Sequence, residues 1–176
     1  MKVTKTILGL ICIGLLFTAC NKDKTKGGLN KLTYKDQTFS GSIDNGKVLD
    51  DLSWAWSSNM ACFVETVKDQ YKGNHVFYKI EIPTNSTIDI YMTPTNPGDE
   101  MALYGYSKAA GDETIPPGIS SSVSCEASPS NSNGAKTGEQ HVYFNAINNP
   151  YAVIFGIAGA DGLTEGGFEI RIDVEN

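Results

Sequence analysis

The chain offers two imidazoles for acid–base work, His75 and His141, and abundant serines. A thiolate from Cys62 or Cys125 beside His141 would make a covalent catalyst, and a Ser–His–acid set would serve acyl transfer. No G-x-S-x-G elbow, H-E-x-x-H helix or Walker sequence is present to organise either. A disulfide between the two cysteines would also consume the thiol. The residues therefore read as a non-enzyme, with both histidines as strand-edge residues near loops. A small secreted hydrolase with a Ser or Cys nucleophile is the alternative.

Acidic residues come next. Asp99-Glu100, Asp112-Glu113 and Asp161 with Glu165 fall in turn-rich stretches. Calcium takes about six to eight oxygens from clustered carboxylates and loop carbonyls. None of these stretches has EF-hand spacing, so solvated turn acids are the plainer reading and no cofactor is expected. Asp99, Glu100, Asp161 and Glu165 are the calcium candidates if their loops meet at one end of the fold. The glycine-rich "GIAGADGLTEGGFEI" (residues 156–170) lacks the Lys-Ser/Thr of a phosphate loop, and a strand follows it rather than a helix. It reads as a turn whose glycines permit positive φ.

Aromatic spacing gives the candidate binding residues. Trp54 and Trp56 are two apart in "LSWAW", and Tyr104 and Tyr106 repeat the spacing, so each pair shares one face of a strand. Exposed, such a pair is a platform for a sugar ring or a protein partner. Buried, it is core, which is the favoured reading for Trp54 or Trp56.

The elements that must position these residues are strands. "FEIRIDVEN" alternates cleanly, with Phe168, Ile170, Ile172 and Val174 on one face. "STIDIYMT" and "HVFYKIEIP" do the same, while "YAVIFGIAG" is apolar on both faces and reads as a central strand. Further strands are expected at "LTYKDQ", "TFSGSI", "LSWAW", "CFVETV", "MALYGYS", "SSVSCEA" and "HVYFNAI". Turn clusters such as "DNGK", "PTNS" and "SPSNSNGAKTG" separate them. "NST" at Asn85 reads as turn chemistry, not as a glycosylation site. Short strands at this spacing predict an all-β, antiparallel sandwich of about 8–10 strands.

The N-terminus carries a different signal. Lys2 and Lys5 precede an apolar run from Ile7 to Phe17 and the small pair Thr18-Ala19. That is an export signal, too short for a membrane span of ~20 residues. "LFTAC" resembles the lipobox of bacterial lipoproteins, with Phe17 where Leu is usual. The resemblance implies a diacylglycerol thioether on Cys20 and an acylated amine, hence a bacterial envelope lipoprotein. Each buried CH₂ of such chains contributes ~0.8 kcal/mol. Asn21 after the cysteine favours the outer membrane, on either its periplasmic or its surface side. Residues 1–19 are then signal, 20–31 a flexible tether, and 32–176 one domain, large enough to bury ~68–70% of its unfolded surface. In an oxidising compartment Cys62 and Cys125 pair as a disulfide. The chain has formal charge −6, or −8 without Lys2 and Lys5, which argues against a nucleic-acid partner.

The strand order "HVFYKIEIPTNSTIDIYMTPTNPGDEMALYGYS", then "NNPYAVIFGIAGADGLTEGGFEIRIDV", is similar to the bacterial pre-peptidase C-terminal domain over roughly residues 38–175. The resemblance implies a jelly-roll-like sandwich without catalytic residues, usually an appendage of secreted enzymes. Here it stands with a lipid-anchor signal and no peptidase in front. The expected function is a membrane-anchored, non-catalytic binding or assembly module for a glycan or an envelope protein. A structural envelope protein without a discrete ligand is a further alternative.

Overall fold

A computed structural model describes residues 27–33, 37–57, 61–129 and 136–176. The signal sequence, Cys20 and most of the expected tether lie outside the described residues. The fold is a sandwich of two sheets. Among the described residues ten strands form it: β1 (Leu29–Lys31), β2 (Gln37–Ser42), β3 (Lys47–Val48), β4 (Asn74–Ile82), β5 (Ser86–Pro94), β6 (Met101–Ala109), β7 (Ser124–Ser128), β8 (Gln140–Ala146), β9 (Tyr151–Gly159) and β10 (Gly167–Glu175). The larger sheet runs β1-β4-β9-β6-β7, with β3 on β4; the smaller runs β2-β10-β5-β8. All pairings are antiparallel except β1 on β4, which is parallel. Leu29–Lys31 thus belongs to the sheet, and the domain starts earlier than the expected tether boundary.

Alternation decides which face each strand buries. Ile88, Ile90 and Met92 of β5, Phe168, Ile170 and Ile172 of β10, and Ile80, Ile82, Val153 and Phe155 of the facing sheet fill the space between the layers. β9 lies between β4 and β6, as its two-sided apolar sequence predicts, and is buried from Ala152 to Gly159.

A second core covers the outer face of the larger sheet. Leu49, Trp54, Ala55, Phe63, Val67 and Tyr71, from the segment between β3 and β4, pack on Phe77, Ala102, Tyr104, Tyr106 and Ile154. Two strands expected there are not formed. Ser53–Trp56 and Glu65–Tyr71 are 3₁₀ turns. "LSWAW" alternates like a strand, but tight turns bring Trp54 onto the sheet while carrying the chain across it. The disulfide Cys62–Cys125, with a Cα–Cα distance of 4.9 Å, ties this cap to β7. The Cys62 amide also donates to the Ala55 carbonyl at 2.8 Å.

Candidate functional site

The second core absorbs most of the aromatic candidates. Trp54 is 5% exposed, and Tyr104 and Tyr106 are fully buried, so none of the three forms an exposed platform. Trp54 and Trp56 share a 3₁₀ turn rather than one face of a strand, and Trp56, half-buried, sits against the Phe63 ring at 6.2 Å. Tyr104 is central to the cluster. Its ring centroid lies 5.5 Å from Trp54 and 5.8 Å from Tyr71. Gly156 on β9 makes room beneath it: a Cβ there would stand 2.6 Å from the Tyr104 ring.

His75 is part of the same cluster, not a strand-edge residue near solvent. It is fully buried, its Nε2 lies 2.7 Å from the Tyr71 carbonyl, and its Nδ1 lies 2.8 Å from the Tyr104 hydroxyl. A carbonyl only accepts, so Nε2 carries the proton and Nδ1 accepts from Tyr104. Burial drives the pKa down to about 4, against the opposing pull of the Tyr71 carbonyl. The unfolded chain takes up this proton near the ordinary histidine value of 6.5, and the folded chain only near 4. Stability from His75 is therefore complete above about pH 6.5 and is lost as pH falls toward 4, by roughly 3 kcal/mol. Denaturant midpoints measured across that window should fall accordingly, and His75→Gln should flatten the slope.

The disulfide removes Cys62 and Cys125 as nucleophiles. The acidic turns also find partners within the chain. The 95–100 and 160–166 turns do meet at one end of the sandwich, where the Ala160 amide donates to the Glu100 carbonyl at 2.9 Å. Lys136 supplies the cation between them, with Nζ 2.8 Å from Asp161 and 3.2 Å from Glu100. Asp99 lies beside Gly166 at the same end. Among the described residues, no three of His, Cys, Asp and Glu converge as a metal site. The glycine stretch behaves as a turn, with positive φ at Asp161, Gly162 and Gly166. Asn85 likewise occupies a turn at φ 58°.

The arrangement that the sequence did not reveal lies on the outer face of the smaller sheet. Register brings Arg171 of β10 and His141 of β8 to either side of Tyr91 on β5. The Arg171 guanidinium lies 3.8 Å from the Tyr91 ring centre. The His141 ring stacks on it at 4.5 Å and 17°. Tyr91 is thus enclosed between a cation and an imidazole, a contact contributing ~0.5–1 kcal/mol at an exposed site. His141 Nε2 is 2.6 Å from Asp89, and Arg171 bonds Asp173. Both ladder ends stay open to solvent, at 44% exposure for the His141 and Arg171 side chains.

The next cross-strand row is Asp173, Asp89 and Tyr143, and the one after it Glu175, Thr87 and Asn145. Like charges directly opposite each other in a sheet are destabilising. Asp89 and Asp173 are so placed, each held by a neighbouring base. At the end of the face, Asn85, Thr87, Asn145, Ile147, Glu175 and Asn176 line a shallow groove of about 290 Å³. Ile147, at 61% exposure, gives it an apolar wall. The four strands of this sheet carry Asp89, Glu169, Asp173 and Glu175 against one permanent cation, Arg171. The larger sheet carries all four lysines of these strands, Lys31, Lys47, Lys79 and Lys108.

The fold and the open face define a β-sandwich domain with a polar, aromatic-laddered sheet surface. No family model matches the chain, and no curated protein matches it. Among solved structures it is similar to the pre-peptidase C-terminal domain of a collagenase from Bacillus anthracis, at 13% identity and a TM-score of 0.41, over 82% of this chain and 94% of that one. It is also similar to PliG from Aeromonas hydrophila, a periplasmic lysozyme inhibitor of g-type lysozyme, at 6% identity and a TM-score of 0.42, over 84% of this chain and 98% of that one. Identity and superposition are both low, so neither likeness carries a partner over to this chain.

Proposed function

We propose that the chain is a non-catalytic binding module of the bacterial envelope, anchored by lipid on Cys20, that holds a protein partner against the outer face of its smaller sheet. The Arg171–Tyr91–His141 ladder is the observation that carries the reading. It spends side chains on a solvent-facing row that the core does not require, next to an aspartate pair that folding alone disfavours. Rule-breaking of that kind belongs to functional surfaces.

The same geometry favours protein over glycan. Sugar rings stack on open aromatic faces. Arg171 covers one face of Tyr91 and His141 the other, and Trp54 lies in the core, which leaves Tyr143, 43% exposed in the next row, as one open ring rather than a pair. What the ladder presents is ring edges, N–H donors and carboxylates, which suit the polar groups of a protein surface. An excess of carboxylates on this face favours a partner with lysines or arginines.

A Cys20→Ser chain, which lipid cannot hold, should still be retained on envelope fractions, and digesting those fractions with protease before the chain is added should abolish retention. The double substitution Tyr91→Ala, His141→Ala should weaken it at least tenfold while leaving the thermal midpoint within a few degrees. Retention that survives protease but not muramidase would instead assign a glycan.

A further inference from the structure

The position where the chain joins the fold sets the domain's orientation. The Gly27 amide donates to the Asn45 carbonyl at 2.8 Å, and β1 then runs parallel to β4 with Leu29 opposite Phe77. Entry is therefore at the end where β4 begins. The turns 43–46 and 160–166 lie at that same end, tied by the Ile43 amide on the Gly166 carbonyl at 3.0 Å and the Gly166 amide on Asp44 at 2.9 Å. The groove lies at the opposite end. Asn85 and Thr87 stand where β5 starts, Asn145 where β8 finishes and Glu175 where β10 finishes.

We propose that the domain stands end-on to the bilayer, with the Gly27 end toward the lipid and the Asn85–Asn145–Glu175 groove at the far end, facing away from it. This orientation rests on the lipid-anchor reading of Cys20. The chain from Cys20 to Gly27 spans at most ~25 Å when fully extended. Nine-residue strands such as β5 separate the two ends of the sandwich by ~27 Å, before the turns at either end are added. Turning the groove onto the membrane would require the tether to run the length of the domain, which exceeds its reach. Laying the smaller sheet on the bilayer is opposed by charge. Asp89, Glu169, Asp173 and Glu175 would meet anionic headgroups with Arg171 as the one permanent cation of those strands. The entry end also carries acids, Asp44, Asp161 and Glu165, so the tether rather than adhesion holds it near the lipid.

Energy transfer tests this on the lipidated full chain in phosphatidylethanolamine/phosphatidylglycerol vesicles. Asn45→Cys places a dye at the entry end and Asn145→Cys places one in the groove. Both sites are exposed, and the native disulfide and lipidation leave each new thiol as the labelling site. Transfer to a headgroup-labelled lipid should be at least threefold more efficient from position 45. Equal or reversed efficiencies on vesicles that carry the protein would overturn the orientation. Vesicle flotation is scored alongside: a Cys20→Ser chain that floats as well as the parent would instead overturn the anchor, and the orientation with it.

Discussion

Replacing Cys62 and Cys125 together by serine is expected to lower the stability of the domain by roughly 4 kcal/mol, the chain-entropy value for a closed loop of this size. The crosslink joins residues 63 apart and is the covalent tie between the cap and the larger sheet. Reduction also frees the cap segment locally. Around Trp54 and Phe63 its backbone bonds are short-range, Cys62 to Ala55, Ala55 to Leu52, Ala61 to Ser57 and Val67 to Val64, while its later part is held by the Asp161 amide on the Asp69 carbonyl. Trp54 and Phe63 should therefore gain solvent exposure before the sandwich melts. Urea unfolding of the double variant, followed by tryptophan emission, should show a lower midpoint and a redder native baseline. An unchanged midpoint would mean that packing alone holds the cap.

Tyr104→Ala is the second large effect. Truncating a fully buried aromatic costs about 3–5 kcal/mol. Here the ring also touches Phe63, Tyr71, His75 and Phe77, all contributors to one cluster. The hydroxyl has a separate share, because its loss leaves His75 Nδ1 buried without a donor, a cost of about 1–3 kcal/mol. Tyr104→Phe isolates that share. A Tyr104→Phe chain as stable as the parent would remove the hydrogen bond from the account. Neither substitution touches the smaller sheet, so retention on envelope fractions should survive wherever the domain stays folded.

Period-two alternation made the sandwich legible. It named the inward faces of β4, β5 and β10 and the central place of β9, because burial on one face or two leaves a direct trace in residue order. The cap left a weaker trace. Alternation in "LSWAW" gives a shared face only if the backbone is extended, and 3₁₀ turns of a few residues have no period to read. β6 did hold a hint: Met101 and Leu103 point one way and Tyr104 and Tyr106 are apolar the other way, which requires cover on both faces. The ladder was invisible for another reason. Tyr91, His141 and Arg171 come from strands far apart in the chain, and only register places them in one row. Lys136 and Asp161 illustrate the same point at the turn end, where an acid that reads as a metal candidate meets a lysine from a distant loop.

Carbodiimide cross-linking in intact cells, read by mass spectrometry, tests the central claim most directly, because it joins carboxylates to lysines in close contact. With the smaller sheet as the docking face, partner lysines should couple to peptides carrying Asp89, Glu169, Asp173 or Glu175. Tyr91→Ala, His141→Ala should deplete those adducts. Adducts confined to the larger sheet, to Glu81 or Glu126, and indifferent to that substitution would contradict the account.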